Sequence, residues 1–431
     1  MATEFSLDRS WKKVAFGLAV LLVAVAVVVT ASRFWLAGQW ATSYEPEPLR
    51  AAIELDPGNA DYYYRLGHFF HLDFTRRDLD QAILFYRRAT EIDPRSAEYW
   101  TALADTYELV GDVEAAEQAY EKAVHSYPIS PAVAWAHGNF HLRRGELAVA
   151  FREFRRALSV DPSLARSAFR LCWGATADTE LILREAIPAD PPLLLTALNY
   201  LISLNRLPAA ERVWLRLVDL GQPLPLQQTF RYVDALIRAG RTEAAQTAWR
   251  EALQLGAPTR LVLGPGPAIT NGDFEQDLVN GGLGWRYRPA PGATMAYDSA
   301  VQHTGSRSLR LTFDGTQDLD FQHLWQYVPV EPGMRYQFEA FLKTKDLSTR
   351  SRVRFRIFDP AQPSALDILT EGLTGTQDWT RQEAEFSPRP STHLVIIALR
   401  RSRTRQLYDR LEGRVWVDGV SLRAVDRRNT P

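Results

Sequence analysis

A motif that recurs with a step of 34 residues constrains this chain more than any other feature. Ala89, Ala123 and Ala157 are separated by that step, and so are Pro94, Pro128 and Pro162. An aromatic residue stands three positions before each alanine: Tyr86, Tyr120 and Phe154. Self-similarity at a fixed period of 20–50 residues marks a stacked array of small supersecondary units. Each unit here predicts two amphipathic helices. Small residues (Ala104, Gly138, Ala116, Ala150) stand where the helices approach, and proline after each second helix stops it. Gly111-Asp112 and Gly145-Glu146 mark the turns inside the hairpins. The first copy carries about three extra residues around Asp73-Phe74-Thr75. A lone hairpin cannot bury its apolar face, so such units must share one core with their neighbours.

The middle copy, with Trp100, Leu103, Ala104, Tyr107, Ala116, Tyr120, Ala123 and Pro128 in order, resembles the tetratricopeptide repeat. The resemblance implies a superhelix whose concave side, lined by the first helix of each pair, holds a partner protein or an extended peptide. The best copies span residues 60–162. After Pro162 the pattern decays through Ala165–Ala189. Two degenerate copies follow, anchored by Ala210, Trp214 and Leu217 and by Ala245, Trp249 and Ala252, so the array is expected over residues 43–257. His68 and His71, and His137 and His141, lie three and four apart. No acidic residue stands between either pair in the HExxH manner, so the expectation is that they pack or line the groove.

Ahead of the array, Val14–Ala31 is apolar except for Gly17 and Thr30. Eighteen helical residues reach about 27 Å, enough to cross a hydrocarbon core. A membrane anchor over residues 14–36 is therefore predicted. Arg9, Lys12 and Lys13 keep residues 1–13 in the cytoplasm, and the bulk lies across a bacterial inner membrane, in the periplasm or outside. Trp35 and Trp40 sit where an interfacial aromatic belt would lie. The alternative is a signal peptide cleaved near Ala31, which would give a secreted protein.

Residues 258–267, rich in proline and glycine, read as a linker, and helical periodicity stops there. Ser308–Phe313, Tyr336–Phe341, Arg352–Phe358, His393–Leu399 and Arg414–Leu422 alternate apolar and polar residues between turn clusters. One such cluster is Gly375-Thr376-Gln377-Asp378. Residues 268–425 are thus expected to form a β-sandwich. The fold class is multidomain: a transmembrane helix, an all-α repeat array and an all-β sandwich.

Several motifs keep a common order in this last region. Asn271-Gly272-Asp273-Phe274-Glu275 and Trp285 come first, then His303-Thr304-Gly305-Ser306-Arg307-Ser308-Leu309. Gln326, Val328, Val330, Pro332 and Gly333 follow, with Asp378-Trp379 before a later strand and Val415-Trp416-Val417-Asp418-Gly419 at the end. The set resembles the galactose-binding-like jelly roll of carbohydrate-binding modules, especially those appended to xylanases and glucanases. Many members of that superfamily hold a structural calcium, which here implies Asp273, Glu275 and Asp418 as ligands, completed by carbonyls of the Thr304–Ser306 loop. Strand alternation puts Asp273 and Glu275 on one face, opposite a buried Phe274. The plainer alternative is that the acids cap turns or pair with arginines. Strand alternation puts Trp325, Tyr327, Gln337, Glu339, Arg354 and Arg356 outside the core. They would form a face of aromatic plates and polar groups suited to a sugar, or else one covered by a loop or by the array. Arg400, Arg401, Arg403 and Arg405 beside Tyr408 form a basic run, read as a solvated loop in preference to an anion site.

Net charge is −1, which gives no global reason to expect nucleic acid or an anionic surface as a partner. The single cysteine, Cys172, excludes intramolecular disulfides and cysteine-based metal sites. No nucleophile elbow, phosphate loop, zinc motif or spaced carboxylate pair points to catalysis. The expectation is a non-catalytic scaffold. It would bind a partner protein and a polysaccharide, and serve cell-surface polysaccharide assembly or export. The rival readings are a purely protein-docking scaffold and, less favoured, a polysaccharide-active enzyme.

Overall fold

Helix periodicity, capping residues and apolar runs resolve, among the described residues, into 14 α-helices followed by ten strands in a computed structural model of the chain. The structure describes residues 9–256, 269–404 and 410–425. The linker expected at 258–267, residues 1–8 of the N-terminal segment, and Arg405 and Tyr408 of the basic run lie outside them. The chain divides into two compact units, residues 1–193 and 194–431.

The first unit opens with α1 (Ser10–Trp40), a helix long and apolar enough to cross a membrane, as a signal sequence can also be. Its apolar side chains from Val14 to Val29 are exposed, whereas Ala37 and Ala41 are buried with Leu49 and Ala52 of α2 (Pro46–Leu55) and with Tyr62 and Leu66. Three hairpins follow: α3 (Ala60–Leu72) with α4 (Leu79–Ile92), α5 (Ala97–Val110) with α6 (Val113–Ser126), and α7 (Pro131–Arg143) with α8 (Leu147–Val160). Asn59, Asp78, Ser96, Asp112 and Ser130 cap their helices by accepting from N–H groups of the first turn, which satisfies donors the helix itself cannot.

The repeat alanines Ala89, Ala104, Ala116, Ala123, Ala150 and Ala157 are fully buried, as are Tyr86, Tyr120 and Phe154. A Cβ on Gly67 would meet the Tyr86 ring at 2.7 Å, and one on Gly138 the Phe154 ring at 3.0 Å. Only a small residue lets an aromatic ring cross at that position. The extra residues of the first hairpin form an exposed turn. Asp73 Oδ1 accepts from Thr75 N (2.9 Å) and Arg76 N (2.8 Å), and Phe74 is 99% exposed. Two shorter helices, α9 (Ala165–Thr176) and α10 (Thr179–Glu185), complete the unit. Cys172 is buried in α9, and burial pushes its thiol up to about 12.

The second unit begins within α11 (Pro191–Ser203) and contains α12 (Leu207–Leu220), α13 (Leu226–Arg238) and α14 (Thr242–Leu255). Trp214 stacks on Tyr232 and donates to Glu251 (2.6 Å).

The strands are β1 (Arg286–Tyr287), β2 (Ala293–Asp298), β3 (Ser308–Asp314), β4 (Phe321–Pro329), β5 (Arg335–Leu347), β6 (Arg354–Phe358), β7 (Asp367–Leu369), β8 (Gly375–Phe386), β9 (Leu394–Arg401) and β10 (Glu412–Val425). They form two antiparallel sheets, ordered β1-β4-β9-β6-β7 and β2-β3-β10-β5-β8. Leu324, Val328, Phe355 and Ile397 of the first sheet share one core with Leu311, Phe338, Leu342 and Val417 of the second. Gln326 is fully buried in this unit, where Nε2 donates to the carbonyls of Thr270 (3.1 Å) and Leu283 (2.8 Å).

Two local expectations are corrected. Residues 375–378 open β8 and do not form a turn, so Asp378 and Trp379 lie inside a strand. The segment around Phe274 is a turn, not a strand, so alternation does not apply there. Phe274 has φ +54 and is buried, and Asn271 brackets the turn by bonding Gln276 on both its amide and its carbonyl (3.0 and 2.7 Å).

Candidate functional site

In the first unit, the first helices α3, α5 and α7 touch in succession, as the hairpin stacking requires. A cavity of about 790 Å³ opens along them, lined by Tyr64, His68, Arg95, Glu98, Asp105 and Tyr127 among others. Tyr64 stacks on Tyr99 (4.8 Å between centroids) and donates to Glu98 Oε1 (2.9 Å). Burial raises the Tyr64 hydroxyl above its ordinary value, so it stays a donor. Tyr120 donates to Asp105 (2.5 Å), whose carboxyl burial pushes up. His71 lies 3.2 Å from the Thr106 hydroxyl and lines the same cavity. The result is a polar, aromatic groove with both charge signs, suited to an extended backbone with side chains.

The six residues expected to form a sugar-binding face do not share one. Trp325 and Tyr327 on β4 pair with Ala398 and Ile396 of β9, and Arg356 on β6 pairs with Ala398 from the other side. Trp325 and Tyr327 pack against Phe358, Ile396 and Ala398 outside the main core, half-buried. Arg356 lies over the Phe358 ring and holds Asp367 through two bonds of 2.8 Å. Arg354 stands on the same strand and face, two residues away. Gln337 and Glu339 belong to β5, in the opposite sheet. Alternation places a residue inside or outside its own sheet, and says nothing of which sheet that is. Glu339 pairs there with Arg381 of β8 and lines a cavity of about 450 Å³ with Phe341, His303 and Arg423. His303 stacks on Phe341 at 3.7 Å, an aromatic contact the sequence reading missed.

Tyr327 is linked to the helices of its own unit through Arg286 of β1. Arg286 lies over its ring (5.3 Å) and donates to Asp234 of α13 (2.5 Å). Gly282 donates its N–H to the same aspartate (3.2 Å), and a Cβ on Gly282 would meet the Trp249 ring at 2.3 Å.

The three acids expected to ligate calcium are not, among the described residues, a group whose ligating atoms all lie within 4.8 Å of one another. Asp418 is fully buried, and its Oδ2 accepts from His303 N (2.8 Å) and Thr304 N (3.0 Å). Burial raises its carboxyl despite those donors. Glu275 accepts from the Ser306 hydroxyl and from the N–H groups of Ser306 (2.7 Å) and Arg307 (3.2 Å). The Ser306 hydroxyl, then the N–H donors, hold the Glu275 carboxyl below the usual range. Asp273 is exposed, with Oδ1 3.5 Å from Glu275 N. The 303–307 loop thus turns N–H groups to both carboxylates.

Three arginines of the basic run pair with two aspartates. Arg400 pairs with Asp320 (2.6 Å), and Arg401 and Arg403 both pair with Asp318. Arg401 is fully buried, so a solvated loop does not describe it.

Among the described residues, one group of three has metal-ligating atoms all within 4.8 Å: Glu117 of α6 with His137 and His141 of α7. The histidine pair was visible in the sequence. Its partner was not, because Glu117 comes from the neighbouring helix 20 residues earlier.

Residues 60–96 and 85–118 each match a family model described as tetratricopeptide repeat, so the chain carries such repeats. Repeats of this family are typically non-catalytic scaffolds that bind partner proteins. No curated protein matches the chain. A solved structure described as "Crystal structure of MamA protein" is 17% identical, over 40% of this chain and 91% of that one, with a TM-score of 0.32. The pilF protein of Pseudomonas aeruginosa is 20% identical, over 48% of this chain and 95% of that one, at 0.26. A structure described as "CBM4 structure and function" is 16% identical, over 37% of this chain and 100% of that one, at 0.27.

Proposed function

We propose that the chain is a non-catalytic, membrane-anchored scaffold outside the cytoplasm. Its repeats hold a partner protein and its sandwich binds a glycan, in assembly or export of a cell-surface polysaccharide. The observation that carries the first part is the groove of α3, α5 and α7, open, aromatic and of mixed charge. A photo-crosslinking residue at Ala132, which lines the groove, gives a discrete adduct in cells. The same residue at Leu84, exposed on a second helix, gives none. Equal adducts from both positions, or none from Ala132, would defeat the assignment. Arg9, Lys12 and Lys13, ahead of the apolar stretch of α1, support the orientation, by the charge bias of membrane insertion.

For the glycan, the face of the first sheet is the favoured surface: Trp325 and Tyr327 as plates, Arg354 and Arg356 beside them. Ring stacking on an aromatic plate and charged hydrogen bonds are what a sugar requires. On a polysaccharide panel, Trp325→Ala abolishes binding by the full chain without moving its melting temperature, whereas Gln337→Ala leaves binding intact. A chain that binds no polysaccharide at all sinks the glycan half. A second reading has its own support: Arg286, Tyr327 and Asp234 tie this sheet to α13, as a docking module would be tied. On that reading Trp325→Ala weakens capture of the partner protein and no sugar is involved.

A further inference from the structure

The Glu117, His137 and His141 cluster has the geometry of a transition-metal site. His137 Nε2 and His141 Nε2 lie 2.9 Å apart, and Glu117 Oε1 is 3.4 Å from the first and 3.5 Å from the second. Ligands held about 2.0–2.1 Å from a tetrahedral zinc ion are separated from one another by roughly 3.3 Å. Each imidazole turns its other nitrogen to a carboxylate. His141 Nδ1 is 2.6 Å from Glu146 Oε2, and His137 Nδ1 is 3.7 Å from Glu153 Oε2. A carboxylate only accepts, so Glu146 assigns a proton to His141 Nδ1, whereas 3.7 Å is beyond hydrogen-bond reach and the buried His137 Nδ1 has no hydrogen-bond partner. His141 Nε2 then turns a lone pair to His137 Nε2 and to the Glu117 oxygen. A cation between the three atoms would take a lone pair from each and leave the proton of His137 on its Nδ1, facing Glu153.

The surroundings suit a metal centre. Imidazole backed by carboxylate is the usual outer support of a zinc-bound histidine, fixing its tautomer and its orientation. Tyr120 stacks on His137 (5.4 Å), and Phe140 meets His141 edge-on (5.2 Å), so both rings are held in place. The histidines are 7% and 4% exposed, while the Glu117 side chain is 34% exposed and gives an ion a way in from solvent. Arg144 pairs with Glu146 (2.8 Å) and Arg156 with Glu153 (2.7 Å). Three glutamates against two arginines leave the site one negative charge, with the rings neutral.

We propose that Glu117, His137 and His141 bind one divalent transition-metal ion of the zinc class, pinning α6 of one hairpin to α7 of the next. Three protein ligands leave the fourth tetrahedral position to water. Glu146 acts as a positioning residue through the His141 imidazole.

The test uses the full chain in detergent, stripped with chelator and titrated with Co²⁺, whose visible absorption reports tetrahedral coordination, then with Zn²⁺. One equivalent of Co²⁺ is expected to develop the band and one of Zn²⁺ to abolish it. Glu117→Gln and His141→Gln weaken binding at least tenfold. Glu146→Gln weakens it about 10–100-fold while the band persists at saturation. His68→Gln, in the other histidine pair, changes nothing. Glu117 is partly exposed, so its variant keeps the fold, as an unchanged circular dichroism melt of the stripped chain verifies. No Co²⁺ band in the stripped wild-type chain overturns the site, and so does binding that survives both Glu117→Gln and His141→Gln. Either of those results would mean that a shared proton, not a metal, reconciles the two rings.

Discussion

The repeat is written in the size of single side chains. Gly67 sits where the Tyr86 ring crosses, with 2.7 Å available to a Cβ. Gly67→Val gains a little helix propensity but forces the ring or the helix to move, costing about 1–3 kcal/mol in chemical denaturation. A change within about 0.5 kcal/mol would mean the contact is looser than described. Glu275 offers a pH test. Its folded carboxyl titrates below the ordinary value of about 4.3, so its stabilisation is complete above that pH and fades as pH falls through the folded value. The wild-type melting temperature falls in that acid window, and Glu275→Gln flattens that part of the slope. An unchanged slope would mean that the Ser306 and Arg307 contacts do not persist in solution. At this scale the sequence showed what is local. The histidine spacing, the buried repeat alanines and the lone cysteine could be read directly. Glu117 could not, because only the packing of α6 on α7 places it beside His137 and His141, 20 and 24 residues away.

At the scale of elements, the 34-residue period specified hairpin length, turn position and which face is buried, because helix periodicity and loop chemistry are local properties. Five strands were legible for the same reason. Sheet membership was not. Gln337 and Glu339 alternate outward as correctly as Trp325 does, but pairing of β5 with β10 and β8 carries them to the other sheet. The joint between α13 and the β1 region was also invisible, since it rests on Asp234 meeting Arg286 across 52 residues. The Arg286 side chain is only 15% exposed, so removing its partner leaves a largely desolvated cation. Asp234→Ala costs about 1–3 kcal/mol and speeds amide exchange around residues 281–286. Exchange unchanged in that segment would show the glycine contacts to be sufficient alone.

At the scale of the whole molecule, the order of parts was legible: an apolar helix, then helical repeats, then sheets. Composition and periodicity change sharply at those boundaries, and each change has a physical cause in what the segment must bury. The division into compact units was not foreseen at residue 193, because α11–α14 still carry helical repeat features while their compact partners are the sheets. The anchor proposal is checked by alkaline extraction. The full chain stays with the membranes, and a chain lacking residues 9–36 leaves them with its helix content otherwise intact. Recovery of a mature N-terminus near Ser32 from cells would replace the anchor with a cleaved signal.

Helix α1 has one more consequence. It runs unbroken from its exposed apolar stretch to Ala37 and Trp40, and Ala37 is seated against α2 and α3 beneath the first repeat. No slack chain separates the two, so the helix is a strut and not a tether. A pull exerted in the groove would reach its apolar stretch undamped, and a tilt of that stretch would turn the groove with it.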